Sequence, residues 1–144
     1  MMENTAKFRA ERDREFQELF DETYDLMVRR KVKHARREAI RFTLANGKPR
    51  YHVSYERASI VVPKILKNGK MPLRCPMPAM MWSEIAQKVQ QMMCGGKMSM
   101  AAAIEFVLEN CRASRFFITE HYAFARFRPS SRRKRLLRAI GVNL

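Results

Sequence analysis

Apolar side chains recur every three to four residues along most of the chain, and Gly, Pro and Asn separate the runs. That spacing belongs to helices packed on one face. In residues 6–32 the stripe is Phe8, Phe16, Leu19, Phe20, Tyr24 and Met27, which predicts one long N-terminal helix. Its first half mixes signs through Glu11, Arg12, Asp13, Arg14 and Glu15, a pattern that suits pairing on a solvent face. Ala35, Ala39, Ile40 and Leu44 predict a second helix over 34–45, which Asn46-Gly47 stops because both residues tolerate the left-handed conformation. Residues 50–53 look extended. Ser54 then caps a helix from Tyr55 to about Leu66, and Pro63, inside that span, should kink it or end its first part. The prolines at 72, 76 and 78 mark a linker over 68–78. A central helix follows over 79–94, with Gly95-Gly96 beyond it. Ser99 caps a helix from Met100 to Asn110, and Thr119 caps a short one to about Phe127. A basic helix over 132–140 closes the chain before Gly141.

Two of these stretches resemble each other. Ala39-Ile40-Arg41-Phe42-Thr43-Leu44-Ala45-Asn46 aligns with Ala103-Ile104-Glu105-Phe106-Val107-Leu108-Glu109-Asn110. Beyond a one-residue difference in the loop, Arg50-Tyr51-His52-Val53-Ser54 aligns with Arg115-Phe116-Phe117-Ile118-Thr119. Arginine, aromatic, β-branched and hydroxyl positions correspond, which suggests a degenerate duplication of a helix-loop-strand-helix unit, copy one over 34–66 and copy two over 100–128. The two short extended pieces could pair as a single two-stranded ribbon. Tyr51, Val53, Phe116 and Ile118 would then face the core, with Arg50, His52, Arg115 and Phe117 opposite. The expected architecture is one all-α, mostly helical domain over 1–144, with that short β-ribbon as an addition.

Composition narrows the class. Hydrophobic residues at 47% are too many for a disordered tail, and charged residues at 30% are too many for a membrane span. The N-terminus has no apolar stretch behind a basic one, so it reads as no signal peptide. The cysteines Cys75, Cys94 and Cys111 are odd in number and widely spaced, as expected for free thiols in the reducing cytoplasm rather than for a disulfide frame or zinc site.

The net charge of +15 is concentrated. Residues 29–50 hold Arg29, Arg30, Lys31, Lys33, Arg36, Arg37, Arg41, Lys48 and Arg50 against Glu38 alone. Residues 112–138 hold Arg112, Arg115, Arg126, Arg128, Arg132, Arg133, Lys134, Arg135 and Arg138 against Glu120 alone. Clustered cations neutralise phosphates and release their counterions, so the expected partner is nucleic acid, DNA favoured over RNA. The residues expected to carry it are Arg36, Arg37, Arg50, His52, Arg115, Arg126, Arg128, Arg132, Arg133, Lys134 and Arg135. The segment from Asn46 to Ser54 is too long for an ordinary helix-turn-helix, and a ribbon reader fits the strand-then-capped-helix order better. Tyr51, Phe116 and Phe117, beside arginines, could stack on bases but suit a core more.

Little points to catalysis. His34, His52 and His121 lack metal-ligand spacing, Glu105 and Glu109 share one helix face as ordinary solvating groups, and Gly95-Gly96-Lys97 is too short for a phosphate loop. No enzyme activity, cofactor, metal or membrane association is expected. The alternative reading is a protein-interaction or assembly module. Methionines cluster from Met77 to Met100, and the helix at 79–94, with Trp82, Ile85 and Val89 on one face, would be either a homodimer seam or core.

Overall fold

The computed structural model describes residues 2–69, 76–130 and 141. Six helices account for most of them: α1 (Met2–Arg29), α2 (Ala35–Asn46), α3 (Tyr55–Asn68), α4 (Pro76–Met93), α5 (Met100–Asn110) and α6 (Glu120–Arg126). The protein is mostly helical. No strand occurs among the described residues, and Arg50 forms one isolated antiparallel bridge, to Arg112 rather than to the 115–118 segment.

The chain divides into two compact units, neither a continuous stretch. One combines Met1–Glu11 with Pro49–Ala113. The other combines Arg12–Lys48 with the chain from Ser114 onward.

In the first unit α3, α4 and α5 pack on one another. Val61, Val62 and Ile65 of α3, Trp82, Ile85, Ala86 and Val89 of α4, and Ala103, Ile104 and Val107 of α5 are buried. The Trp82, Ile85 and Val89 face is therefore packed inside the unit. Pro63 does not stop α3, which runs on to Asn68 and ends at Gly69 in the left-handed conformation. Proline costs a helix interior about 3 kcal/mol. Burial of Val61, Val62 and Ile65, each contributing about 1.5–3 kcal/mol, outweighs that. The helix α4 begins at Pro76, three residues before the apolar stripe, because prolines fit a first turn whose N–H groups have no carbonyl partner.

In the second unit Phe16, Phe20 and Tyr24, one turn apart on α1, meet Ala39, Ile40 and Leu44 of α2 and Phe116, Ile118, Ala123 and Phe127. The ring of Phe16 sits edge-on to Phe116 at 5.0 Å and close to Phe127 at 4.3 Å. Gly47 closes α2 with φ −69° and ψ 133°, so it is extended and not left-handed. What demands glycine is space: a Cβ would lie 2.5 Å from the Phe116 ring and 2.7 Å from the Thr43 carbonyl. Tyr51 and Phe116 are both core residues, which removes them from any stacking surface.

Asp13 is not on a solvent face. It is 8% exposed and accepts from the Tyr122 hydroxyl at 2.8 Å, from Arg12 at 3.0 Å and from Arg126 at 2.9 Å. Sequence pattern alone shows only a mixed-sign helix; beside the neighbouring Arg12, the carboxylate's partners Tyr122 and Arg126 arrive from far along the chain.

Candidate nucleic-acid interface

The corner between α1 and α2 gathers a run of exposed basic residues. The helix α1 ends in a Schellman motif: Val32 N–H donates to the Met27 carbonyl at 2.9 Å and Lys31 N–H to the Val28 carbonyl at 3.0 Å. Lys31 occupies the left-handed position at φ 58°, where glycine is usual, and His34 is left-handed at φ 55°. The motif satisfies the carbonyls of the last turn and holds the corner in shape. Arg29, Arg30, Lys31, Lys33, His34 and Arg37 are all exposed there. Arg29 pairs with Asp25 at 3.3 Å and Arg37 lies 3.4 Å from Glu38. Among the described residues Arg30, Lys31 and Lys33 have no carboxylate within ion-pair distance.

Arg36 does different work. Its guanidinium donates to the Phe127 carbonyl at 3.1 and 2.8 Å and to the Phe124 carbonyl, and its carbon lies 5.6 Å from the Phe124 ring centre. It thereby caps the carbonyl end of α6, whose hydroxyl cap at the other end is Thr119. Burial, and secondarily the charge of Arg128, pulls its pKa below the usual arginine value. A forked side chain spent on two carbonyls has little left for a phosphate, so Arg36 is better understood as the clamp that ties α6 to α2.

The second basic window contributes Arg126 and Arg128, both exposed, and the half-buried Arg115. Arg126 pairs with Asp13, Arg128 reaches the Ala125 carbonyl at 3.3 Å, and Arg115 donates to the Phe116 carbonyl at 3.1 Å. All three belong to the same unit as the α1–α2 corner, so residues some eighty positions apart share one scaffold. Arg50 and His52 belong to the other unit, where Arg50 lies 3.4 Å from the Glu109 carbonyl and His52 is half-buried. Arg132, Arg133, Lys134 and Arg135, with the rest of the basic segment over 132–140, lie outside the described residues.

Sequence reasoning passed over Arg30, Lys31 and Lys33 as site candidates, although they stand in the first basic window. The available signal was a basic run directly after a long helix with no acid within four residues on its C-terminal side until Glu38.

Among the described residues no cluster of three or more His, Cys, Asp or Glu could hold a metal ion. No described helix is long and apolar enough to cross a membrane. Comparison with protein-family models, with curated proteins and with solved structures finds no match.

Proposed function

We propose that this protein binds nucleic acid, duplex DNA in preference to RNA, without catalysing a reaction on it. The observation that carries the reading is the α1–α2 corner: a fixed backbone turn presenting Arg30, Lys31 and Lys33, with no carboxylate partner among the described residues, beside Arg29 and Arg37. The presence of Arg126 and Arg128 in the same unit supports it. A solvating surface needs only dispersed charge; a clustered and conformationally held group of cations suits a regular array of phosphates. The working residues of this proposal are Arg30, Lys31, Lys33 and Arg37, with Arg128 and the segment Arg132-Arg133-Lys134-Arg135 adding affinity. Free Cys94 and Cys111 fit a reducing, cytoplasmic setting.

The duplication belongs to this proposal as its scaffold. Its support is positional. Ser54 and Thr119 each cap a helix by accepting from the N–H three residues on, Asn46 and Asn110 each donate to the carbonyl four residues back, and Ala58 and Ala123 are each fully buried. The bridge seen among the described residues, Arg50 to Arg112, lies outside the 115–118 segment and does not support the paired ribbon.

The test is binding of the full chain to labelled duplex DNA and to single-stranded RNA across a salt series. The expected result is a linear fall of log affinity with log salt, at about −0.9 per phosphate neutralised on duplex, with duplex preferred. Replacing Arg30, Lys31 and Lys33 together by Ala should flatten that slope by about two to three units. Absence of binding to either ligand at low salt would sink the proposal.

A further inference from the structure

The helices α2 and α5 carry the same residue types in the same register, and each turns a phenylalanine outward. Ile40 and Ile104 face their cores, while Phe42 and Phe106, two residues on, are 51% and 39% exposed. Single exposed apolar side chains are common, and Leu26, Ile60 and Met80 are others here; what sets Phe42 and Phe106 apart is that they sit at matching positions in the middle of two helices of like sequence.

The stripes beside the two rings differ in sign. On α2, Arg37 and Arg41 stand one turn apart and exposed, against the single acid Glu38, which lies 3.4 Å from Arg37. On α5 the places of Arg41 and Ala45 are taken by Glu105 and Glu109, also one turn apart and exposed, and α5 contains no basic residue. Like faces repel, α2 against α2 and α5 against α5. Unlike faces match in both charge and ring position.

We propose that α2 of one copy docks against α5 of a second copy, with Phe42 packed on Phe106 and with Arg37 and Arg41 opposite Glu105 and Glu109. Arg41 already lies 3.0 Å from Glu120, but both side chains of that pair are about half exposed, 52% and 51%, and such surface pairs contribute little. The guanidinium of Arg50 near the Glu109 carbonyl weakens the negative field at that end of α5 and makes Glu105 the stronger acidic contact. Because the two faces are different, the contact is heterologous, and it either passes from copy to copy or closes reciprocally between two copies. One helix pair covers less than the roughly 800 Å² per partner of a standard stable interface, so the association is weak, concentration-dependent and weakened by salt. This inference does not depend on nucleic-acid binding.

Sedimentation velocity of the full chain alone, over a concentration series at low salt, tests it. The weight-average mass should rise with concentration, and Phe42→Ala and Phe106→Ala should each suppress the rise without changing the circular dichroism spectrum. Arg41→Glu and Glu105→Arg should each be monomeric alone. Mixed in equal amounts they should associate again, since the intact α2 of one variant meets the intact α5 of the other and the two reversed faces match each other as well. The double variant Arg41→Glu/Glu105→Arg should recover growth. A chain that stays monomeric at every concentration overturns the proposal. So does self-association that survives Phe42→Ala, or that ignores Glu105→Arg because α2 meets some other surface. If Phe42→Ala lowers DNA binding while leaving the mass unchanged, the ring serves a different partner, and the proposal fails in that case too.

Discussion

Adjacent residues of one type have unlike tasks here, and substitution should separate them. Arg36 and Arg37 are sequence neighbours, yet one forks onto the carbonyls of Phe124 and Phe127 and the other stands in solvent. Arg36→Lys should lower stability by about 1–3 kcal/mol in urea denaturation, since an ammonium cannot make the fork, whereas Arg37→Lys should change it by less than about 0.5 kcal/mol. Gly47→Ala should destabilise by about 1–3 kcal/mol by driving a methyl into the Phe116 ring. Lys31→Gly should do the reverse, gaining up to about 1 kcal/mol by relieving a left-handed lysine, while removing one cation from the corner. Three tyrosines add a pH dependence. Tyr24, Tyr51 and Tyr122 are held above the ordinary value of 10.0, in each case first by burial; Glu84 adds to this for Tyr51 and Asp13 for Tyr122. The native state therefore keeps these protons after the unfolded chain has released its own. Stability from this source is complete below pH 10 and declines as pH rises through the raised native values. A urea midpoint that falls from about pH 10 upward, and falls less steeply in Tyr51→Phe, is the expected outcome.

At the scale of elements, the short helix α6 is the most dependent. Seven residues cannot sustain a helix alone, and this one is held by the Thr119 hydroxyl at one end and Arg36 at the other. Thr119→Ala should cost about 1 kcal/mol and speed hydrogen exchange first in α6. The same cap at Ser54 or Ser99 serves longer helices, where the loss should stay local. Caps of this kind were legible in the sequence because a hydroxyl three residues before its N–H partner is a local pattern. The apolar stripes were legible for the same reason, and they give all six helices to within a few residues. The helix running past Pro63 is legible in the apolar stripe, but the force that outweighs the local cost of the proline, the burial of Val61, Val62 and Ile65, comes from α4 and α5 and is not. Gly47 stops α2 as its sequence suggests, but not through a left-handed conformation: what requires glycine there is a ring sixty-nine positions away, which no local pattern reveals. The basic windows could be read directly. The division of labour within them could not, because Arg36, Arg115 and Arg126 are engaged by carbonyls or carboxylates that only the fold brings near.

For the whole molecule the decisive fact is interleaving. Each unit is built from both halves of the chain: α3 packs with α4 and α5, while α6 packs with α2. A protease site inserted after Gly69, where nothing lies within 4 Å of an added Cβ, should therefore yield two fragments that co-elute on gel filtration and part only in denaturant. Fragments that separate without denaturant would contradict the interleaved packing. The same weave sets a timetable for synthesis on the ribosome. When the first two helices emerge, Phe16, Phe20 and Ile40 have no Phe116 or Phe127 to cover them, and α3 waits for α4 and α5. The chain must therefore be nearly finished before either unit can close, and until then its largest apolar side chains are exposed to whatever holds nascent polypeptides in the cell.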